Sequence, residues 1–102
     1  MTRYRLSRQA RMDLSSILGY LDTYNKNASE KLESRFIESF RLLAANPEIG
    51  HFRQDIAPSE VSFWAVSGHV IAYFPATRPL QILAILHGAR DIAGILNERD
   101  IV

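Results

Sequence analysis

Hydrophobic and polar positions change period once along the chain, close to Gly50. Before that point most apolar residues recur at helical spacing; after it they form short runs typical of strands. Residues 3 to 6, Arg-Tyr-Arg-Leu, alternate as a short strand does. Ser7 then has the character of an N-cap, because its hydroxyl can accept from a free N–H of a first helical turn. Ala10, Leu14, Ile17, Leu18 and Leu21 fall on one helical face, with Arg11, Asp13, Ser15 and Asp22 off it, which predicts a helix over 8–23. Gly19 inside that helix costs about 1 kcal/mol relative to alanine, so close packing against a neighbour is expected there. Residues 24–27 form a polar break, and Asn27 followed by Glu30 reads as a capping box. A second helix is predicted over 28–45, with Leu32, Phe36, Phe40, Leu43 and Ala44 as its stripe and Ile37 widening it. So short a connection makes the two helices an antiparallel hairpin. Asn46-Pro47 ends it, since a residue before proline avoids the α region.

Beyond Gly50, residues 61–66 and 70–74 are strand candidates, joined by a tight turn at Ser67-Gly68-His69. Residues 75–79 make another turn. The run 81–87 is apolar on both faces and is placed centrally in the sheet. Short connections make these strands an antiparallel meander. Residues 51–56 are expected as an extended lead-in. Gly88 stops the last strand, and Asp91 opens a short helix that carries Ile92, Ile95 and Leu96 on one face. The order is β-α-α-β-β-β followed by α. The expected fold class is α+β, a helical hairpin on one face of an antiparallel sheet.

Length fits a single domain spanning 1–102, and 47% hydrophobic with 23% charged residues is the balance of a globular chain. No apolar run approaches the roughly 20 residues of a membrane helix. The polar start predicts no signal peptide. The absence of cysteine excludes disulfides, thiolate metal sites and cysteine nucleophiles, and fits a cytoplasmic setting. A net charge of +1 does not by itself point to nucleic acid. The choice of base is more telling: ten arginines against Lys26 and Lys31, with Arg3, Arg5, Arg8 and Arg11 opening the chain. Compositional bias is the plain account of this. The specific one is a surface for acidic partners, for which arginine is suited by its planar fork.

No glycine-rich phosphate loop, HExxH or GxSxG pattern is present. His51, His69 and His87 lie far apart in sequence and have no carboxylate at ligand spacing, so neither a metal site nor a cofactor is expected. His87, Arg90 and Asp91 cluster where the last strand ends. Histidine can move a proton while arginine holds a phosphodiester; alternatively His87 caps the sheet and Asp91 caps the helix or pairs with Arg90. Next to Phe52, Arg53 offers phosphate contact beside a stacking ring, or simply pairs with Asp55 to orient its loop. Phe63 and Trp64 point to opposite sheet faces, with Tyr73 on the adjacent strand. One face buries the hairpin. The other either exposes aromatics to a protein partner or lies under the C-terminal helix.

Four segments in order resemble the ParE branch of the ParE/RelE toxin superfamily. They are Leu6-Ser7-x-x-Ala10-x-x-Asp13-Leu14-x-x-Ile17-x-x-Tyr20, Asn46-Pro47-x-x-Gly50-x-x-Arg53-x-Asp55-Ile56, Val70-Ile71-Ala72-Tyr73, and Ile82-Leu83-x-Ile85-Leu86-His87-Gly88-Ala89-Arg90-Asp91. The resemblance implies a toxin of a bacterial type II toxin–antitoxin module, associated with growth inhibition and plasmid stabilisation. Its cognate antitoxin would wrap it with a C-terminal segment, as a hetero-oligomer, with Arg3, Arg5, Arg8, Arg11, Phe63, Trp64 and Tyr73 as contacts. ParE-like members poison DNA gyrase by binding, which would engage Arg53, Arg78, Arg90, Ile92, Ile95 and Leu96 and the segment out to Val102. RelE-like members instead cut mRNA on the ribosome; His87, Arg90 and Arg53 would then be the catalytic groups. The strands 61–66, 70–74 and 81–87 contain no lysine or arginine to stabilise phosphate charge, which favours the gyrase reading. A binding-only member that has lost toxicity is the third alternative.

Overall fold

A computed structural model describes residues 3–57 and 60–99. The elements run β1 (Tyr4–Leu6), α1 (Arg8–Tyr24), α2 (Lys26–Ala45), a 3-10 turn (Pro47–Ile49), β2 (His51–Phe52), β3 (Ser62–Val66), β4 (His69–Phe74), β5 (Leu80–His87) and α3 (Ile92–Glu98). The fold is α+β, as the periodicity predicts. Ser7 caps α1 by accepting from the Ala10 N–H at 3.1 Å. The second cap is two residues earlier than expected. Asn25, extended at φ −159°, donates its N–H to Leu21 O and accepts from the Ala28 N–H, so one residue ends α1 and starts α2. Asn27 and Glu30 are exposed residues within α2, not a capping box at its start.

Strand order is β1-β5-β4-β3-β2. The sheet is mixed, which corrects the expectation of a wholly antiparallel one. β2 to β5 pair antiparallel, but β1 pairs parallel to β5, with Tyr4 opposite Leu80. Parallel neighbours need a long crossover, and the helices and the meander supply it. β4 occupies the centre; β5 lies between it and β1. The β3–β4 turn has positive φ at both Ser67 (49°) and Gly68 (77°), the sense that matches strand twist in a two-residue hairpin. Of the expected lead-in at 51–56, only His51–Phe52 pairs in the sheet; Ile56 and Ala57 donate back to Arg53 O in a turn.

Each sheet face has its own core. Phe36, Phe40 and Leu43 of α2 and Ala10 of α1 bury against Ile71, Tyr73, Leu80, Ile82 and Ile85. On the other face Leu96 of α3 packs with Val61, Phe63, Ala72, Leu83 and Leu86. Full burial of each such side chain contributes about 1.5–3 kcal/mol, so the short α3 is held by its apolar side. Gly19 does not meet the expectation of close packing: a Cβ there would touch nothing within 4 Å. No helix among the described residues is long and apolar enough to cross a membrane.

Candidate interaction surfaces

One candidate surface lies where the helical hairpin meets the start of β4 and the end of β5. There His69 and His87 stand directly opposite across the strand pair, with ring centroids 5.4 Å apart at 75°. Phe36 meets the His69 ring edge-on at 5.4 Å. His69 Nδ1 lies 3.0 Å from Ser67 O, and a carbonyl can only accept, so that nitrogen carries the proton. His87 Nδ1 accepts from the Ala89 N–H at 3.2 Å. Both rings are thereby oriented by the turns they flank. They form one wall of a groove of about 410 Å³ whose remaining lining is Ser16, Ile17, Tyr20, Leu21 and Leu32.

That groove continues onto an uncovered stripe of α1. Met12, Tyr20 and Tyr24 are 59%, 70% and 72% exposed, and Tyr20 and Tyr24 are neighbours at i, i+4 spacing. The Tyr20 and Tyr24 rings touch, with centroids 5.1 Å apart. Three of the five large exposed hydrophobic residues among the described residues therefore lie on α1, two of them in ring contact, which marks an interaction surface more firmly than scattered exposure would. Arg35 reaches over from α2 to donate to Ser67 Oγ at 3.1 Å, two residues before His69 of the groove wall.

Two further arrangements hold this surface in place. Tyr73 is fully buried; its hydroxyl donates to Pro47 O at 2.8 Å and accepts from the Gly50 N–H at 3.0 Å. A side chain on Gly50 would overlap that hydroxyl. Burial pushes the phenol above its ordinary value near 10, against the opposing bond from Gly50. The neutral phenol is favoured in the fold, so its stabilisation is complete below pH 10 and is lost as pH rises through the elevated value. Tyr73→Phe is expected to cost about 1–3 kcal/mol by leaving a carbonyl and an N–H unpaired. It should also flatten the alkaline fall in stability, which urea unfolding between pH 7 and 11 would measure.

The second arrangement ties the ends of the chain together. Asp13 of α1 accepts from both terminal nitrogens of Arg99 at 2.7 Å, and its Oδ2 also accepts from the Ile85 N–H at 3.0 Å. The Asp13 bond raises the Arg99 pKa further. β1 covers β5 only as far as Ile82, so Asp13 and Ser7, whose hydroxyl donates to Leu83 O, satisfy the next stretch of that strand's edge.

A family model described as the ParE toxin of type II toxin-antitoxin system, parDE, matches residues 4–92. The chain belongs to the ParE toxin family. A solved structure titled "Chromosomal ParDE TA system from P. aeruginosa" matches with a TM-score of 0.70 at 19% identity, covering 85% of this chain and 96% of that one. At that identity the likeness is one of fold. No curated protein matches the sequence.

Within this ParE chain the residues expected at partner surfaces divide. Phe63 and Tyr73 are 6% and 0% exposed and belong to the two cores, so neither offers a contact surface in this conformation. The open aromatic face is absent because α3 covers it. Trp64 is half-buried against the hairpin core. Leu96 is fully buried and Ile92 and Ile95 are half-buried against the second core, which makes α3 a cover more than a contact. Residues 100–102 of the segment assigned to target contact lie outside the described residues. Arg78 donates to Pro75 O and Thr77 O and closes its own loop. Arg53 binds Asp55 through two hydrogen bonds; that exposed pair raises the Arg53 pKa and lowers that of Asp55. Arg90 is exposed and forms no ion pair among the described residues; Asp91 instead accepts from the Gly94 N–H to cap α3. His87, Arg90 and Arg53 do not converge: Arg53 follows β2, at the opposite edge of the sheet from β5.

The opening arginines do not form one patch either. Arg8 borders a depression with Gln9 and Arg99, whereas Arg11 faces a groove between α1 and α2 with Asp22, Glu30 and Glu33. Arg3 and Arg5 are exposed on and beside β1. Among the described residues no group of three or more potential ligands could hold a metal ion. Sequence reasoning missed the His69–His87 pair, because it depends on the register of β4 against β5, which are joined by the longer connection at 75–79. It also missed the α1 stripe, whose signal was an apolar i, i+4 pair at Tyr20 and Tyr24 outside the core face.

Proposed function

We propose that this toxin acts on DNA gyrase by binding and is silenced in the bacterial cytoplasm by a cognate antitoxin. The observation carrying the gyrase reading is the state of the sheet. β3, β4 and β5 hold no lysine or arginine, and α3 closes the face opposite the hairpin. An mRNA-cutting surface needs cations that stabilise developing phosphate charge, and this sheet supports that chemistry poorly. The exposed Arg90 guanidinium, beyond the end of β5, is suited to a carboxylate or DNA phosphate on the target. Antitoxin binding is supported by the apolar groove, with Arg35 held on Ser67 beyond its His69 wall: an acidic, amphipathic segment would bury its apolar residues against Tyr20, Leu21 and Leu32.

The test uses purified components. Gyrase, supercoiled DNA and ATP are incubated with the protein and then treated with detergent and protease. Protein-dependent linear DNA is expected. Arg90→Ala should reduce it about tenfold, the effect of one lost charge-assisted contact, while leaving antitoxin binding unchanged. Intact DNA together with cut mRNA on translating ribosomes would overturn the gyrase reading.

A further inference from the structure

The apolar groove has one polar wall, made by His69 and His87. The backbone fixes which ring nitrogen carries the proton in each. His69 Nδ1 lies 3.0 Å from Ser67 O and must donate to it, so in the neutral ring Nε2 keeps its lone pair and accepts. His87 Nδ1 accepts from the Ala89 N–H at 3.2 Å, so in the neutral ring Nε2 carries the hydrogen and donates. Neither Nε2 has a hydrogen-bond partner among the described residues. With the ring centroids 5.4 Å apart, the wall presents one acceptor beside one donor.

The charge pattern of the wall is therefore a dipole, and its complement is an uncharged dipole of the opposite sense. No carboxylate lines the groove to hold an imidazolium, and the cation beyond His69 is Arg35, held on the Ser67 hydroxyl. A primary amide matches both rings: its N–H donates to His69 Nε2 and its carbonyl accepts from His87 Nε2. A carboxylate can pair with His87 alone and sets a lone pair against that of His69. An ammonium can pair with His69 alone and meets the His87 N–H. A hydroxyl offers both functions from one atom, whereas an amide offers them from two atoms about 2.2 Å apart, which suits two separate rings.

We infer that the antitoxin sets a side-chain amide, Asn or Gln, against His69 and His87 as the polar anchor among its apolar contacts. The inference rests on the reading that this groove seats the antitoxin. One polar match within an apolar seam fixes the register of the bound segment, as a lone buried Asn does in a coiled coil. It also discriminates among partners, because a segment with the wrong side chain there leaves a ring nitrogen unpaired.

The toxin labelled with 15N at histidine tests the wall first. Long-range 15N–1H spectra at pH 8, where an imidazole is ordinarily neutral, should show His69 protonated on Nδ1 and His87 on Nε2. Either ring in the opposite tautomer overturns the inference. In the complex with the cognate antitoxin, nuclear Overhauser contacts from the two rings should lead to an Asn or Gln side chain. Changing that antitoxin residue to its matching acid should weaken binding to the parent toxin about tenfold at pH 8. The same change should cost less than about threefold against His69→Lys, whose ammonium donates where His69 accepts. Equal losses against both toxins would make His69 a structural residue and overturn the inference. So would a carboxylate, hydroxyl or apolar side chain facing the rings, which leaves the antitoxin seat in place. Ring signals unmoved by saturating antitoxin overturn the seat and the inference together.

Discussion

Asp13→Ala is expected to lower the unfolding free energy by about 3–5 kcal/mol, a large fraction of what a domain of this size possesses. The Asp13 side chain is 11% exposed and that of Arg99 19%, so the pair is screened little by solvent. Removing the carboxylate leaves the Arg99 guanidinium largely buried without its partner and the Ile85 N–H without its acceptor. Asp13→Asn keeps an acceptor for Ile85 and loses only the charge; its cost should be closer to 1–2 kcal/mol. The effect is not confined to the pair. Arg99 is the C-cap of α3, and α3 roofs the core of Phe63, Leu83 and Leu86. Amide exchange should therefore accelerate most over residues 92–98 and at Ile85, ahead of α2. Urea unfolding gives the total. A loss under about 1 kcal/mol for Asp13→Ala would place the pair with ordinary exposed ion pairs and remove its role as the tie between α1 and α3.

That tie was not legible in the sequence, and the reason is physical. Helical stripes, caps and turns are local, and they gave α1, α2, the Ser67-Gly68 hairpin and the Asp91 cap. Asp13 and Arg99 are 86 residues apart, and nothing in either neighbourhood distinguishes them from solvated charges. The parallel pairing of β1 failed to show for the same reason: a strand of three residues carries no signal for its partner's direction. Tyr73 is the opposite case. The sequence offers an aromatic in an apolar strand as a partner contact; in the fold it is buried, and its hydroxyl fastens the chain between Pro47 and Gly50 beneath the sheet. The family motif Asn46-Pro47-x-x-Gly50 therefore marks a packing requirement here. Its glycine is required by the Tyr73 hydroxyl, while at Gly19 a Cβ would meet nothing within 4 Å. For the candidate surfaces the sequence supplied residue types, and only the register of β4 against β5 turned two distant histidines into one wall of a groove.

Tyr20→Asp should accelerate dissociation of the antitoxin complex at least thirtyfold, equivalent to about 2 kcal/mol or more. Tyr20 combines the properties of an anchor residue. It is a large aromatic, 70% exposed, braced by the Tyr24 ring and seated at the mouth of the apolar groove. A partner that buries it gains area at low entropic cost, because the tyrosine pair already restricts the ring. Aspartate removes that area and puts a negative charge before an acidic segment, so attraction gives way to repulsion. The fold should not register the change, since the side chain faces solvent; thermal unfolding of the free toxin should match the parent. The opening arginines predict a different kinetic signature. Charge reversal at Arg5 and Arg8, both exposed, should slow association at low salt and leave dissociation nearly unchanged. Surface plasmon resonance at two salt concentrations separates the two effects. In cells, Tyr20→Asp should restore growth inhibition in the presence of antitoxin, because its lesion lies in neutralisation and not in the contact made by Arg90. An unchanged dissociation rate for Tyr20→Asp would move the antitoxin seat away from the α1 stripe, and the exposed tyrosines would then need another occupant.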